Sequence, residues 1–180
     1  MSDLVTVNPR TLTPAQFAAH YGSAQTARLL DRSGTGPAAG GLNADLLARA
    51  IAGDALADVS ATERQRVLDA LARLEAVLTE ATQTIDSYLA TITTLPLPAE
   101  VIAANPLAMH CRALARRILA DTDIRRTDAM DADCEAAMMW LKAVAAGRAR
   151  LLGLTETAVT PPGGSQVFVP GGAGIDWNTY

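Results

Sequence analysis

SATERQRVLDALARLEAVLTEATQTIDSYLATI, residues 60–92, is the stretch whose reading decides the fold. Val67, Leu71, Leu74, Leu78, Ala81, Ile85, Tyr88 with Leu89, and Ile92 recur at steps of four and three, which places them on one helical face. Ser60 and Glu63 fit a capping box, in which the serine takes an orphan amide and the glutamate reaches back. No Pro or Gly interrupts the run until Pro96, and a rise of about 1.5 Å per residue makes it a rod of roughly 45 Å. A rod with one apolar stripe is stable in water only when other helices lie along it. The expectation is therefore an all-α helical bundle organised around one long helix at about residues 60–92.

Composition supports this. With 180 residues the chain is long enough for one domain with a real core. Alanine supplies 36 of them and aromatics only 4%, which favours helices packed through small side chains over a sheet. The net charge of -4 argues against a general nucleic-acid binder, which needs a basic surface to displace counterions. Among the basic residues only Lys142 is a lysine; arginine suits fixed pairing and interfaces better. Cys111 and Cys134 fall inside predicted helices, where reduced thiols are expected rather than a disulfide framework. No basic-then-apolar leader and no apolar run of membrane-spanning length is found, so a soluble, intracellular protein is expected.

Outward from the long helix, residues 1–12 form an N-terminal arm, with Leu4-Val5-Thr6-Val7 alternating before Asn8-Pro9. Thr13-Pro14 reads as an N-cap followed by proline at the first helical position, opening a short helix with Phe17, Ala18 and Tyr21 on its apolar face. Gly22 ends it, and Ser23 caps a second helix carrying Ala27, Leu29 and Leu30. Residues 33–41 (SGTGPAAGG) read as a flexible loop. Asn43 caps a helix with Leu46, Leu47, Ala50 and Ile51. Beyond the long helix, Thr93-Thr94-Leu95-Pro96-Leu97-Pro98 makes a rigid corner. Asn105-Pro106 reads as another cap and proline, starting a helix with Leu107, Cys111, Leu114, Ala115 and Ile118 inward and Arg112, Arg116 and Arg117 largely outward. A last helix, Asp128 to Ala146, buries Met130, Ala137, Met138, Leu141 and Ala145. Its acids come first and its bases last, which complements the helix dipole. The helical domain thus spans residues 13–153. Residues 154–180, rich in Gly and Pro and nearly uncharged, form an extended C-terminal tail. Val167, Phe168, Val169, Ile175, Trp177 and Tyr180 are its bulky residues and its expected docking interface, by an added strand with aromatic anchors.

Catalytic chemistry finds no foothold. His110 and Cys111 are adjacent and point about 100° apart on a helix, and His20 and Cys134 add no ligand spacing, so core or surface roles are expected and no metal. Gly34-Thr35-Gly36 with Gly40-Gly41 follows a helix and lacks the Lys-Ser/Thr ending of a phosphate loop, so it reads as a linker. The acids at 128–135 lack the calcium-loop pattern. Arg112, Arg116, Arg117, Arg125 and Arg126 form the densest basic cluster. They read first as a solvated helix face; as a functional surface they would pair with acids of another copy or line a pore through which DNA passes.

Four pieces in order resemble one family: Thr13-Pro14 to Leu30 with its Gly22 break, Ala81 to Leu97 (ATQTIDSYLATITTLPL), Asn105 to Leu119, and Glu135 to Gly153 (EAAMMWLKAVAAGRARLLG). The most specific part is Ile85-Asp86-Ser87-Tyr88-Leu89 with Pro96-Leu97-Pro98, then Trp140-Leu141 and Gly147. They resemble the phage Mu-like family regarded as head-tail connector or adaptor proteins. The chain departs from that pattern at Thr91-Ile92-Thr93, where the family carries an aromatic, and in the helix at 106–119, which lacks the family's tyrosine. The resemblance implies a helical virion protein at the neck, assembled in the host cytoplasm. It implies a twelve-fold homo-oligomeric ring beneath the portal protein that connects to the tail or a tail-terminator or stopper protein. Genomic DNA would only pass through it, with no membrane partner, no cofactor and no catalysis. The competing class is a DNA-binding packaging or regulatory protein using the arginine cluster, recognisable by salt-dependent DNA affinity. An enzyme has only the glycine loop to support it.

Overall fold

The computed structural model describes residues 12–31, 41–120 and 126–154, and these contain seven helices and no strand. They are α1 (Pro14–Tyr21), α2 (Ser23–Leu30), α3 (Ala44–Ala52), α4 (Ala61–Leu89), α5 (Ala99–Ala104), α6 (Leu107–Leu119) and α7 (Asp128–Ala145). The all-α architecture around one long helix is as expected from the periodicity. Residues 1–11 of the N-terminal arm and 155–180 of the C-terminal tail lie outside the described residues, while Leu12, counted in the arm, is buried in the core.

Local chemistry explains most of the starts. Thr13 and Gln16 form a full capping box, with the Gln16 amide on the Thr13 hydroxyl at 3.2 Å and the Thr13 amide on the Gln16 side chain at 2.9 Å. Asn43 accepts from the amides of Asp45 and Leu46, and Thr127 from that of Met130. At α4 the box is half made: Ser60 Oγ accepts from the Glu63 amide, but the Glu63 carboxylate turns to the serine hydroxyl, 2.7 Å away, and not to its backbone. Ser23 is not a cap. Gly22, at φ 83, ends α1 through its amide to Ala18 O and starts α2 through its own carbonyl, which takes the Thr26 hydroxyl at 2.8 Å. That left-handed φ is one that glycine adopts without strain, so one residue does both jobs.

α4 stops at Leu89, three residues short of the expected end. The Thr91 hydroxyl takes the Tyr88 carbonyl at 2.6 Å, and the amides of Ile92 and Thr93 both fall back on Leu89 O at 3.0 Å. Side-chain competition for a backbone carbonyl and three β-branched residues together unwind the last turn. After the proline corner, with Leu95-Pro96 in cis, the six-residue α5 appears where no helix was expected. Asn105 does not cap α6, whose start falls at Pro106 without a side-chain cap. Its buried amide instead donates to Val101 O at 2.7 Å and Leu152 O at 2.9 Å and accepts from Leu152 N at 3.0 Å, tying the end of α5 to the end of the described chain.

The core runs along α4. Val67, Leu74, Leu78, Ala81, Ile85 and Leu89 are buried as the spacing predicts, while Leu71, Tyr88 and Ile92 are only half-buried. Ala70, Val77 and Thr82 join the buried face, because α4 is covered from two sides, by α3 with α1 and α2, and by α6 with α7. Phe17, Leu47, Val101, Leu119, Leu141 and Val144 close over it. The turn from α3 to α4 is held by arginines. Arg64 binds the carbonyls of Leu56 and Val59 at 3.0 and 3.1 Å, and Arg49 forks onto Asp58 at 3.0 and 2.8 Å.

Leu74 lies fully buried midway along α4 and Leu68 is 44% exposed on its outer side. Leu74→Ala is expected to lower unfolding stability by about 2 to 5 kcal/mol, and Leu68→Ala by no more than about 0.5 kcal/mol. Urea denaturation followed by circular dichroism measures both.

Candidate interaction surface

The arginine cluster is built by an antiparallel hairpin. Arg117 of α6 pairs with Asp131 of α7, Arg116 lies 3.8 Å from Asp133, and at the other end His110 stacks on Trp140 with ring centroids 4.7 Å apart. The basic end of α6 therefore lies against the acidic first turns of α7, and the dipole alone does not account for those acids. Arg116 was expected to face outward. Its side chain is only 19% exposed, with its guanidinium 5.2 Å over the Tyr21 ring of α1, a cation–π contact. Burial pushes the Tyr21 hydroxyl's pKa up, opposed by the nearby Arg116 and Arg112 charges. Arg126 Nε donates to Ala120 O at 3.4 Å. Arg125 lies outside the described residues, as do Val167, Phe168, Val169, Ile175, Trp177 and Tyr180. With no strand among the described residues, these offer no sheet edge for docking by an added strand.

Of the reactive side chains, Cys111 is buried, 3.7 Å from the Thr82 hydroxyl, and burial raises its pKa; Cys134 is half-buried and shifted the same way for the same reason. No group of three or more His, Cys, Asp or Glu among the described residues is placed to hold a metal ion, and no helix there is long and apolar enough to cross a membrane.

What the sequence reading did not single out is a set of exposed apolar side chains. Met109 is 53% exposed, Met139 68% and Leu152 64%. The His110–Trp140 stack places Met109 and Met139, each the preceding residue of its helix, at one level of the hairpin. In an antiparallel pair the same step of about 100° turns both to the same side. Cys111 and Leu141, one residue further on, are buried on the opposite side against the core. Leu152, tied to Asn105, sits at this end too. In the Met138-Met139 doublet, Met138 is half-buried and Met139 turns to water.

His110 is buried with Nε2 unpartnered among the described residues, and burial lowers its pKa from the usual 6.5. The unfolded chain takes up the proton first as pH falls, so the stability held at neutral pH is lost on acidification through about 6.5 and levels off below the folded-state value. His110→Phe keeps a ring against Trp140 and carries no proton. Thermal melts between pH 7.5 and 5 are expected to fall less for this variant than for the natural chain.

A family model described as Bacteriophage Mu, Gp36 matches residues 41–169. No curated protein and no solved structure matches the chain. The match begins just ahead of α3, takes in α4 to α7, and continues past the described residues through Val167-Phe168-Val169. Since it covers well over half of the 180 residues, the chain belongs to the bacteriophage Mu Gp36 family.

Proposed function

We propose that this phage protein is a structural component of the virion, a head-tail adaptor that forms a ring beneath the portal and joins capsid to tail. The family membership over residues 41–169 is the observation that carries the reading. The ring is twelve-fold, its partners are the portal protein and a tail, tail-terminator or stopper protein, and DNA passes it only as the packaged genome. The protein is not an enzyme and takes no cofactor. Its neck location follows from that role.

The geometry favours this over a DNA-binding packaging or regulatory protein. Arg116 and Arg117 are engaged by Asp133 and Asp131, which reduces the positive charge available to phosphates. Exposed apolar side chains gathered at one end suit contact with another protein better than contact with a phosphate backbone.

Phage assembled without this protein is expected to yield packaged heads and free tails that do not join, and adding the purified chain should restore joined particles. Joined particles formed without it would contradict the adaptor role. A chain ending at Leu154 should keep the helical spectrum and fail to restore joining. In a parallel titration, duplex DNA affinity that falls steeply with salt would favour the DNA-binding reading.

A further inference from the structure

The exposed Met109, Met139 and Leu152 are held in place. Leu152 has both backbone groups bound to the buried Asn105 amide, while Leu151 before it is buried. Gly153 after it, at φ 81, lies against Val101, whose side chain would stand 3.5 Å from a Cβ there. A leucine fixed on both sides with its side chain in water is ordered before any partner arrives. Such preorganisation lowers the ordering entropy that binding must overcome. Basic side chains flank this shelf. Lys142 follows Met139 by three residues and Arg112 follows Met109 by three, so each lies on the same helical face as its methionine. Exposed Arg148 follows the turn at Gly147. Asp131 and Asp133 of α7 lie toward the opposite end, where they pair with Arg117 and Arg116, while exposed Glu135, four residues before Met139, stands on the same face as that methionine.

The described chain ends at Leu154, two residues beyond Leu152. Residues 155–180 contain Glu156 and Asp176 but no lysine or arginine, and their first bulky apolar run is Val167-Phe168-Val169, the run on which the family match ends. Sequence with bulky apolar residues and no base thus begins beside an apolar shelf flanked by Arg112, Lys142 and Arg148. Val167 lies 13 residues past Leu154, a span of about 45 Å when extended. That reach extends to a neighbouring molecule, the partner that the ring proposed above supplies.

We propose that the shelf of Met109, Met139 and Leu152 seats the Val167-Phe168-Val169 segment of a neighbouring copy, with the Phe168 ring against the two methionine thioethers. Methionine is suited to this, being unbranched, polarizable and favourable against an aromatic edge. The contact passes from copy to copy around the assembly. This inference names the contact between subunits in the ring proposed above and rests on that reading.

The test is carbon-13 methyl NMR of the full chain labelled at methionine. Met109 and Met139 report the shelf, and buried Met130 serves as the internal control. On raising protein concentration the Met109 and Met139 signals are expected to move together while Met130 stays. Phe168→Asp should give the dilute-limit spectrum at every concentration. The proposal is overturned if neither signal moves, if the movement persists in Phe168→Asp, or if Phe168→Asp shifts them even at the dilute limit, which would mean docking within one chain. A ring found at the particle neck beside an unresponsive shelf would remove this contact and leave the adaptor role standing.

Discussion

The whole structure depends on burying one face of α4. Its 29 residues make a rod of roughly 43 Å at a rise of about 1.5 Å each, and an isolated helix with this composition is marginal in water. Cover comes in two blocks, the short helices α1 to α3 and the hairpin of α6 with α7. Small residues let them approach closely: Ala81 on the rod, Ala115 on α6 and Ala137 on α7 are fully buried. Thr82 is the polar exception within the rod's buried face, and it is satisfied by donating to Leu78 O at 2.8 Å. An unpaired hydroxyl there would be destabilising.

The second constraint is the register of the α6/α7 hairpin. At one end it is marked by charge, Arg117 with Asp131, and at the other by the His110–Trp140 stack. Ion pairs that are partly exposed contribute at most about 1 kcal/mol each, so their value here is positional. They fix which residues of α7 meet which of α6, draw Arg116 onto Tyr21, and leave Met109 and Met139 on the side away from the core. The same register brings the chain back so that Leu152 meets Asn105. Sequence far from α4 thereby decides what surface the molecule presents.

Features governed by near neighbours were legible in the sequence. The four-and-three spacing in α4, the Thr13 and Asn43 caps and the buried face of α2 depend on residues within a turn or two; in α7, Met130, Ala137 and Leu141 are buried as expected, but Met138 and Ala145 are only half-buried and Val144 is buried instead. Asn105 shows why others were not. Asn-Pro before an apolar run looks like a helix cap, yet its decisive partner is Leu152, 47 residues away. Arg117 and Asp131 each carried a local explanation, a solvated face for one and the dipole for the other. Both flank the connection at 120–127, so an antiparallel hairpin was bound to set them opposite. The six residues of α5 are too few to display a helical period. Of the expected contact residues, Arg112, Arg116, Arg117 and Arg126 fall within the described chain, and Arg116 and Arg117 are occupied by α7 acids. The surface that the fold offers instead, around Met109 and Met139, emerges only when the hairpin register is known.

A helical bundle that pairs Arg116 and Arg117 with its own acids and exposes apolar side chains at one end fits the adaptor role we propose. Electron cryomicroscopy of the intact particle neck tests that claim most directly. Our account predicts a ring of density directly beneath the portal into which α4 and its covering helices fit, repeated around the symmetry axis. A neck whose density is fully accounted for by other proteins, with no place for a rod of this length and its cover, would contradict it.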